Sequence, residues 1–307
     1  MSALETTRIP DADRSLSADF DRIRKMRATT PQRIAETLVN RRKRQLLSGD
    51  GRLFIVAADH PARGALGVRS NTMAMANRYD LLERLVIALE RPGVDGVLGT
   101  PDILEDLALL GVLDDKVTVG SMNRGGLRNA SFEMDDRYTS YDVDSIVRSG
   151  LDFAKALVRI NLGDPATAIT LSATAKAVTA AAAARLPIML EPFMSEWRDG
   201  RVVNDLRADA VITSIAVAAG LGASSAYTWL KLPVVPEMER VMQASTLPTL
   251  LLGGDPESTP DETYASWANA LELPGVHGLV VGRTLLYPAD EDVAGAVDAA
   301  ARLVHSA

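Results

Sequence analysis

Eight short apolar runs, separated by longer segments of helical spacing, limit this chain more than any other feature. The runs are residues 53–58, 93–98, 117–121, 156–160, 188–190, 226–230, 249–252 and 278–281. They recur at intervals of roughly 20–40 residues, the length of one strand–helix unit. Being near-continuously apolar, they suit strands covered on both faces rather than strands with a wet side. Helical spacing fills the gaps at 79–90, 141–154, 165–185 and 263–271. Eight alternating units predict an α/β fold, the (β/α)8 TIM barrel. An open doubly wound sheet is the rival, but no Gly-x-Gly-x-x-Gly follows the first run. A barrel over 51–307 leaves 1–50 as a short helical N-terminal extension. Its segments 18–27 and 31–47 have helical spacing, and Pro31 suits a first helical turn. The basic run Arg41, Arg42, Lys43, Arg44 reads as a solvated helix end.

Composition narrows the function classes. The net charge is −7, and no basic stripe opposes it, so neither a nucleic acid nor an anionic membrane is expected as partner. The chain has no cysteine, which excludes thiol catalysis, thiolate metal sites and disulfides. Residues 1–30 are polar and lack the apolar segment of a secretory leader. The apolar stretch 173–190 is broken by Lys176, Arg185 and Pro187 and reads as helix then strand. A cytoplasmic enzyme is the expectation, and a homo-oligomer is expected from the helical extension. Of three histidines, His60, His277 and His305, no two stand at metal-ligand spacing. We expect no catalytic metal and no cofactor, although magnesium held by Asp59 and Glu191 stays open.

In a barrel of this kind the chemistry gathers where strands end at their C-terminal side. Those ends carry Asp59 and His60; Ser121, Asn123 and Arg124; Arg159 and Asn161; Glu191; Lys231; Gly253 and Gly254; and Gly282 and Arg283. Lys231 is the sharpest. Only six of the 33 cations are lysines. Arginine cannot lose its proton, so a lysine kept in the apolar run Ala226–Leu230 suggests a demand for an amine nucleophile. A structural lysine paired with Asp59 or Glu191 is the alternative. Asp59 can move protons or cap the next segment, and Glu191 can move protons or pair with Lys231 or Arg159. Two strand-then-glycine turns, Gly253-Gly254 and Gly282-Arg283, fall where this fold holds phosphate, so a phosphorylated small molecule is the expected partner. His60, Arg63, Asn123, Arg159 and Asn161 complete the expected substrate-binding set.

Ala58-Asp59-His60-Pro61, Trp229-Leu230-Lys231, Gly253-Gly254 and Val281-Gly282-Arg283 together resemble the DhnA/LsrF-type class I aldolase family, over about residues 52–290. The resemblance implies Lys231 as the imine-forming lysine, Asp59 as its acidic neighbour, and Gly253, Gly254, Gly282 and Arg283 around a phosphate. Archaeal fructose-bisphosphate aldolases of that family carry Trp-x-Tyr-Pro-Arg on the fifth strand, where the tyrosine handles a proton. Here the stretch reads Leu190-Glu191-Pro192-Phe193-Met194. The proton step is therefore expected to pass to Glu191, Asp59 or water. The chain also looks like the actinobacterial aldolases of myo-inositol breakdown. That likeness implies cleavage of 2-deoxy-5-keto-gluconate 6-phosphate to dihydroxyacetone phosphate and malonic semialdehyde. Two other readings stay open: an LsrF-like acyl transfer to coenzyme A or a magnesium-assisted lyase, and a non-catalytic phosphate-ligand sensor.

Overall fold

Strand β4 pairs with β3 on one side and with β5 on the other, which closes the sheet on itself. The structure, a computed structural model, describes residues 16–47, 49–123, 126–253 and 260–306. The strands are β1 (Leu53–Ala57), β2 (Gly96–Gly99), β3 (Val117–Ser121), β4 (Phe153–Ile160), β5 (Ile188–Arg198), β6 (Arg201–Asn204), β7 (Thr228–Pro233), β8 (Thr249–Leu252) and β9 (Val276–Val281). Their order is β4-β3-β2-β1-β9-β8-β7-β5-β6, with the additional β4–β5 pairing. Eight are parallel neighbours around the ring, and β6 folds back antiparallel on β5 as a hairpin. The fold is the expected (β/α)8 TIM barrel. Asp199 and Gly200 turn that hairpin with φ of 51° and 73°, the backbone sign a two-residue hairpin loop demands.

Side chains on a strand alternate between faces, and the core divides accordingly. Leu53, Ile55, Ala57, Leu98, Val117, Val119, Phe153, Met189, Trp229, Leu250 and Val280 fill the barrel interior as one cluster. Phe54, Val56, Ala154, Ala156, Val158, Leu190, Leu230 and Leu251 face outward into the larger cluster under the helices. Those helices include α1 (Ser17–Thr29), α2 (Gln32–Asn40), α3 (Arg78–Glu90), α4 (Pro101–Leu110), α5 (Val143–Arg148), α6 (Ala166–Ala184), α7 (Ala208–Ala219), α8 (Met238–Met242), α9 (Pro260–Leu271), α10 (Arg283–Leu286) and α11 (Val293–Ser306). Among the described residues no helix is long and apolar enough to cross a membrane.

Two expectations need correction. The helical segment at 141–154 contracts to α5, because Gly150 takes a left-handed φ of 66° and the chain turns into β4 at Phe153. The helix at 31–47 contracts to α2, and its basic tail is only in part solvated: Arg42 and Lys43 are exposed, whereas Arg41 and Arg44 turn inward. Arg41 is buried and donates to Thr118 Oγ1 at 2.6 Å, Gly150 O at 2.8 Å and Asp152 Oδ2 at 2.5 Å. Arg42 meets Asp115 at 2.7 Å, Lys43 lies 3.7 Å from Asp152, and Arg44 bonds Asp95. Leu46 and Leu47 pack against the interior cluster. The basic run thus straps an apolar plug across the N-terminal mouth of the barrel, the end that reads as stability in this fold.

The same end holds α11. His305 Nδ1 stands 2.7 Å from Asp50 Oδ2, and its Nε2 lies 2.9 Å from Gly93 O and 3.2 Å from Asp95 Oδ2. The hydrogen bond with Asp95 leads in raising the imidazole to about 9, burial opposes it, and Asp50 adds to the rise. A folded pKa above the ordinary 6.5 means the stabilisation is full below pH 6.5 and fades as pH climbs through 9. The melting-temperature gap between wild type and His305→Gln will therefore narrow over that window. A gap independent of pH would show that His305 contributes by packing alone.

Candidate active site

Five strands place a polar residue two positions beyond an apolar interior residue, one step up the same face. Ala57 is followed by Asp59, Val119 by Ser121, Phe153 by Lys155, Met189 by Glu191 and Trp229 by Lys231. The pleat puts all five on the inner wall, as a polar ring resting on the apolar layer. Each is buried, with Lys231 4% and Lys155 2% exposed.

The ring is an ion-pair chain. Lys231 Nζ donates to Glu191 Oε1 at 2.7 Å. Glu191 Oε2 bonds Lys155 Nζ, which also lies 3.3 Å from Asp59 Oδ2. Ser121 Oγ donates to that same Asp59 oxygen at 2.9 Å. Burial is the largest influence on Glu191 and favours its neutral form. Lys155 and then Lys231 outweigh it, so the carboxyl is held down at about 2. Buried charges need such partners. His60 stands at the inner edge, its Nδ1 3.8 Å from Asp59 Oδ1. Burial, chiefly, together with Arg283 and Lys231, lowers its imidazole to about 3, so the ring is neutral. Because Lys155 sits between Asp59 and Glu191, magnesium held by those two carboxylates would have to displace an ammonium. Among the described residues no cluster of His, Asp and Glu has metal-holding geometry.

Gly253 and Gly282 follow the adjacent strands β8 and β9. A Cβ on Gly253 would stand 2.4 Å from Val281 Cγ1, and one on Gly282 2.3 Å from Ala57 O. Both turns are thus pressed against the barrel wall at positions only glycine fits. Arg283, next to Gly282, opens α10 and acts electrostatically on His60. Gly254 and Arg124 lie outside the described residues.

Three expected substrate contacts make structural hydrogen bonds with their side chains. Arg159 faces inward one step above Leu157, but its Nε and Nη2 both donate to Asp136 at 2.8 Å and its Nη1 to Glu133 at 3.0 Å. Asn123 donates to Asp136 O at 3.1 Å and accepts from Leu157 N at 2.8 Å, stitching β3 to β4. Asn161 accepts from Gly163 N at 2.9 Å, in the turn that starts α6. Arg159 and Asn123 thus hold the 126–142 segment, and the Asn161 side-chain oxygen holds the α6 turn. Arg63 donates to Gly126 O at 3.2 Å and lies 3.9 Å from Glu133. A groove of about 780 Å³ along α5 and α6, lined by Tyr138 and Lys176 among others, contains no member of the ring.

Lys155 is the residue the sequence reading missed. Its signal was the one that marks Lys231: a scarce lysine in an apolar strand.

A family model described as Cgl0159-like matches residues 51–301. The crystal structure of Cgl0159 from Corynebacterium glutamicum is 70% identical, with a TM-score of 0.93, covering 94% of this chain and 98% of that one. A Schiff base-forming fructose-1,6-bisphosphate aldolase is 20% identical, with a TM-score of 0.64, over 88% of this chain and 99% of that one. An archaeal fructose-1,6-bisphosphate aldolase, with its catalytic lysine bound to a carbinolamine intermediate, is 18% identical with a TM-score of 0.64. That match covers 89% of this chain and 99% of that one. The two aldolases share the fold. No curated protein matches the chain.

Proposed function

The chain belongs to the Cgl0159-like family, and we propose that it is a class I, Schiff-base aldolase that reversibly cleaves a phosphorylated keto sugar or sugar acid. The observation that carries this is the paired buried lysines on one carboxylate. Lys155 Nζ is shared between Asp59 and Glu191, whereas among the described residues Lys231 Nζ bonds Glu191 Oε1. Lys231 is therefore the nitrogen that can be released for bonding to carbon. Two structural aldolases on the same fold that use a Schiff base or a lysine-bound intermediate support the reading.

In the proposed reaction the Lys231 amine attacks the substrate ketone, and the carbinolamine takes up one proton and loses water to give a protonated imine. Glu191, kept ionised by Lys155, stays beside that nitrogen and balances its charge. The C–C bonding pair then flows into the imine and leaves an enamine. Gly253, Gly282 and Arg283 hold the phosphate, so remote binding energy orients the ketone over Lys231. The finer proposal, resting on the resemblance to inositol-pathway aldolases, is 2-deoxy-5-keto-gluconate 6-phosphate as substrate, with dihydroxyacetone phosphate and malonic semialdehyde as products.

Borohydride reduction with dihydroxyacetone phosphate present should add the triose mass at Lys231, and Lys231→Ala should lose both adduct and cleavage. Adduct at another residue, or retained activity in Lys231→Ala, would refute the assignment. Release of dihydroxyacetone phosphate from the keto-gluconate ester, measured with a coupled dehydrogenase, tests the finer proposal. Turnover of coenzyme A thioesters without an adduct would favour acyl transfer instead.

A further inference from the structure

Resting on the aldolase reading, one step still needs a residue: the proton that leaves the substrate hydroxyl as the C–C bond breaks. The strand-five tyrosine is absent, and the two expected carboxylates are already engaged. Glu191 lies between two ammonium groups. Asp59 Oδ2 accepts from Ser121 and Lys155. His60 differs from both. Among the described residues its buried Nδ1 has no hydrogen-bond partner, and it faces Asp59 Oδ1, the oxygen opposite the one Ser121 and Lys155 bind. The 3.8 Å separation is one small movement from a hydrogen bond, as is common before a ligand closes a site. With Nδ1 carrying hydrogen towards Asp59, Nε2 becomes the acceptor. A Cβ on Gly282 would stand 3.3 Å from His60 Cε1, so the ring borders the proposed phosphate turn with no side chain between.

We infer that His60 carries the substrate proton in both directions, oriented by Asp59. As the C–C bond breaks, His60 Nε2 takes the hydroxyl proton, the aldehyde leaves neutral, and the bonding pair passes into the iminium to form the enamine. His60 then returns that proton to the enamine carbon. Water hydrolyses the restored iminium, freeing the ketone, the Lys231 amine and the proton taken up when the iminium formed, so no proton is gained or lost overall. Charged groups act on this imidazole in both directions: Asp59 and Glu191 raise its affinity for a proton, while Arg283 and Lys231 lower it. A phosphate on Arg283 offsets one of the opposing charges, so proton acceptance becomes easier when substrate is in place, although burial still works against it.

Dihydroxyacetone phosphate in D₂O separates this inference from the reading beneath it. Enamine formation exchanges the carbon-bound proton, read by NMR, while borohydride reads the imine at Lys231. His60→Gln and His60→Ala should keep the borohydride adduct at Lys231 and lose exchange by at least about a hundredfold. Added imidazole should restore part of the exchange in His60→Ala, which a structural role would not allow. Exchange within tenfold of wild type, with the adduct intact, overturns the inference. Loss of the adduct along with exchange also overturns it, by placing His60 before the imine. No adduct in the wild type removes the aldolase reading, and this inference with it.

Discussion

Replacing Lys155 with methionine will cut turnover by about 10²–10³-fold, the loss seen when one electrostatic contact to a reacting centre is removed, and will reverse the acid response of Glu191. Lys155 is the hinge of the ion-pair chain, bonded to Asp59 on one side and Glu191 on the other. Methionine keeps most of the side-chain length and removes the charge, leaving two buried carboxylates to share Lys231 and the Ser121 hydroxyl. Burial is already the largest influence on Glu191, and Lys155 is the largest force against it. Without that force the carboxyl rises. In the wild type, a pKa depressed from 4.5 to about 2 gives stability that is present above pH 4.5 and lost as pH falls towards 2. In the variant, with Glu191 raised above 4.5, acid favours the fold, and stability falls as pH rises through the new value. Denaturant unfolding of both proteins from pH 3 to pH 8, with kcat measured alongside, tests the claim. Parallel stability profiles, or turnover within tenfold of wild type, would show that Lys155 neither holds Glu191 ionised nor supports Lys231.

The relation between Lys155 and Lys231 also shows what the sequence could and could not reveal. Strand positions were legible because burial on both faces leaves apolar runs, and β3 and β8 fall where those runs lie. Lys231 was legible because its run, Ala226–Leu230, was read as a strand. Lys155 carries the same signature in Phe153-Ala154-Lys155-Ala156-Leu157. However, the helical spacing of 141–154 extends over the first two residues of that strand and assigns Lys155 to a connection. Only Gly150 marks the break, and a lone glycine is a weak stop. The basic run 41–44 misleads for a different reason. Charge clusters are usually solvated, as Arg42 and Lys43 are, but the partners that draw in Arg44 and Arg41, Asp95 and Asp152, lie 51 and 111 residues away along the chain. Pairing over such distances is decided by the closed barrel and leaves no local pattern. Arg159 combines both effects: its inward face follows from strand alternation, but Glu133 and Asp136 come from a connecting segment whose path no periodicity describes.

Arg159→Met is accordingly expected to act on stability rather than on substrate affinity, by roughly 3–5 kcal/mol, the cost of removing one partner from a buried ionic cluster. Glu133 and Asp136 are 5% and 1% exposed, and Arg159 is 3% exposed. With the guanidinium gone, two carboxylates remain in the protein interior, and among the described residues the remaining cation near them is Arg63, whose Nη2 stands 3.9 Å from Glu133. The damage extends further because the cluster fixes backbone as well as charge. Glu133 Oε2 accepts from Asn129 N at 2.8 Å, and Asp136 O accepts from Asn123, which ties β3 to β4 beside Ser121 and Lys155. We expect a fall in melting temperature on the order of 10 °C for a chain of this size, with faster proteolysis within 126–142. Adding Glu133→Gln and Asp136→Asn to Arg159→Met should recover part of the loss, since neutral amides lose less on burial than carboxylates. The opposite pattern, a raised KM with the melting temperature unchanged, would mean that Arg159 leaves this cluster to bind a substrate anion. The geometry argues against that exchange: a single anionic ligand group would have to replace a bidentate carboxylate and a second acidic partner, both already in place and shielded from water.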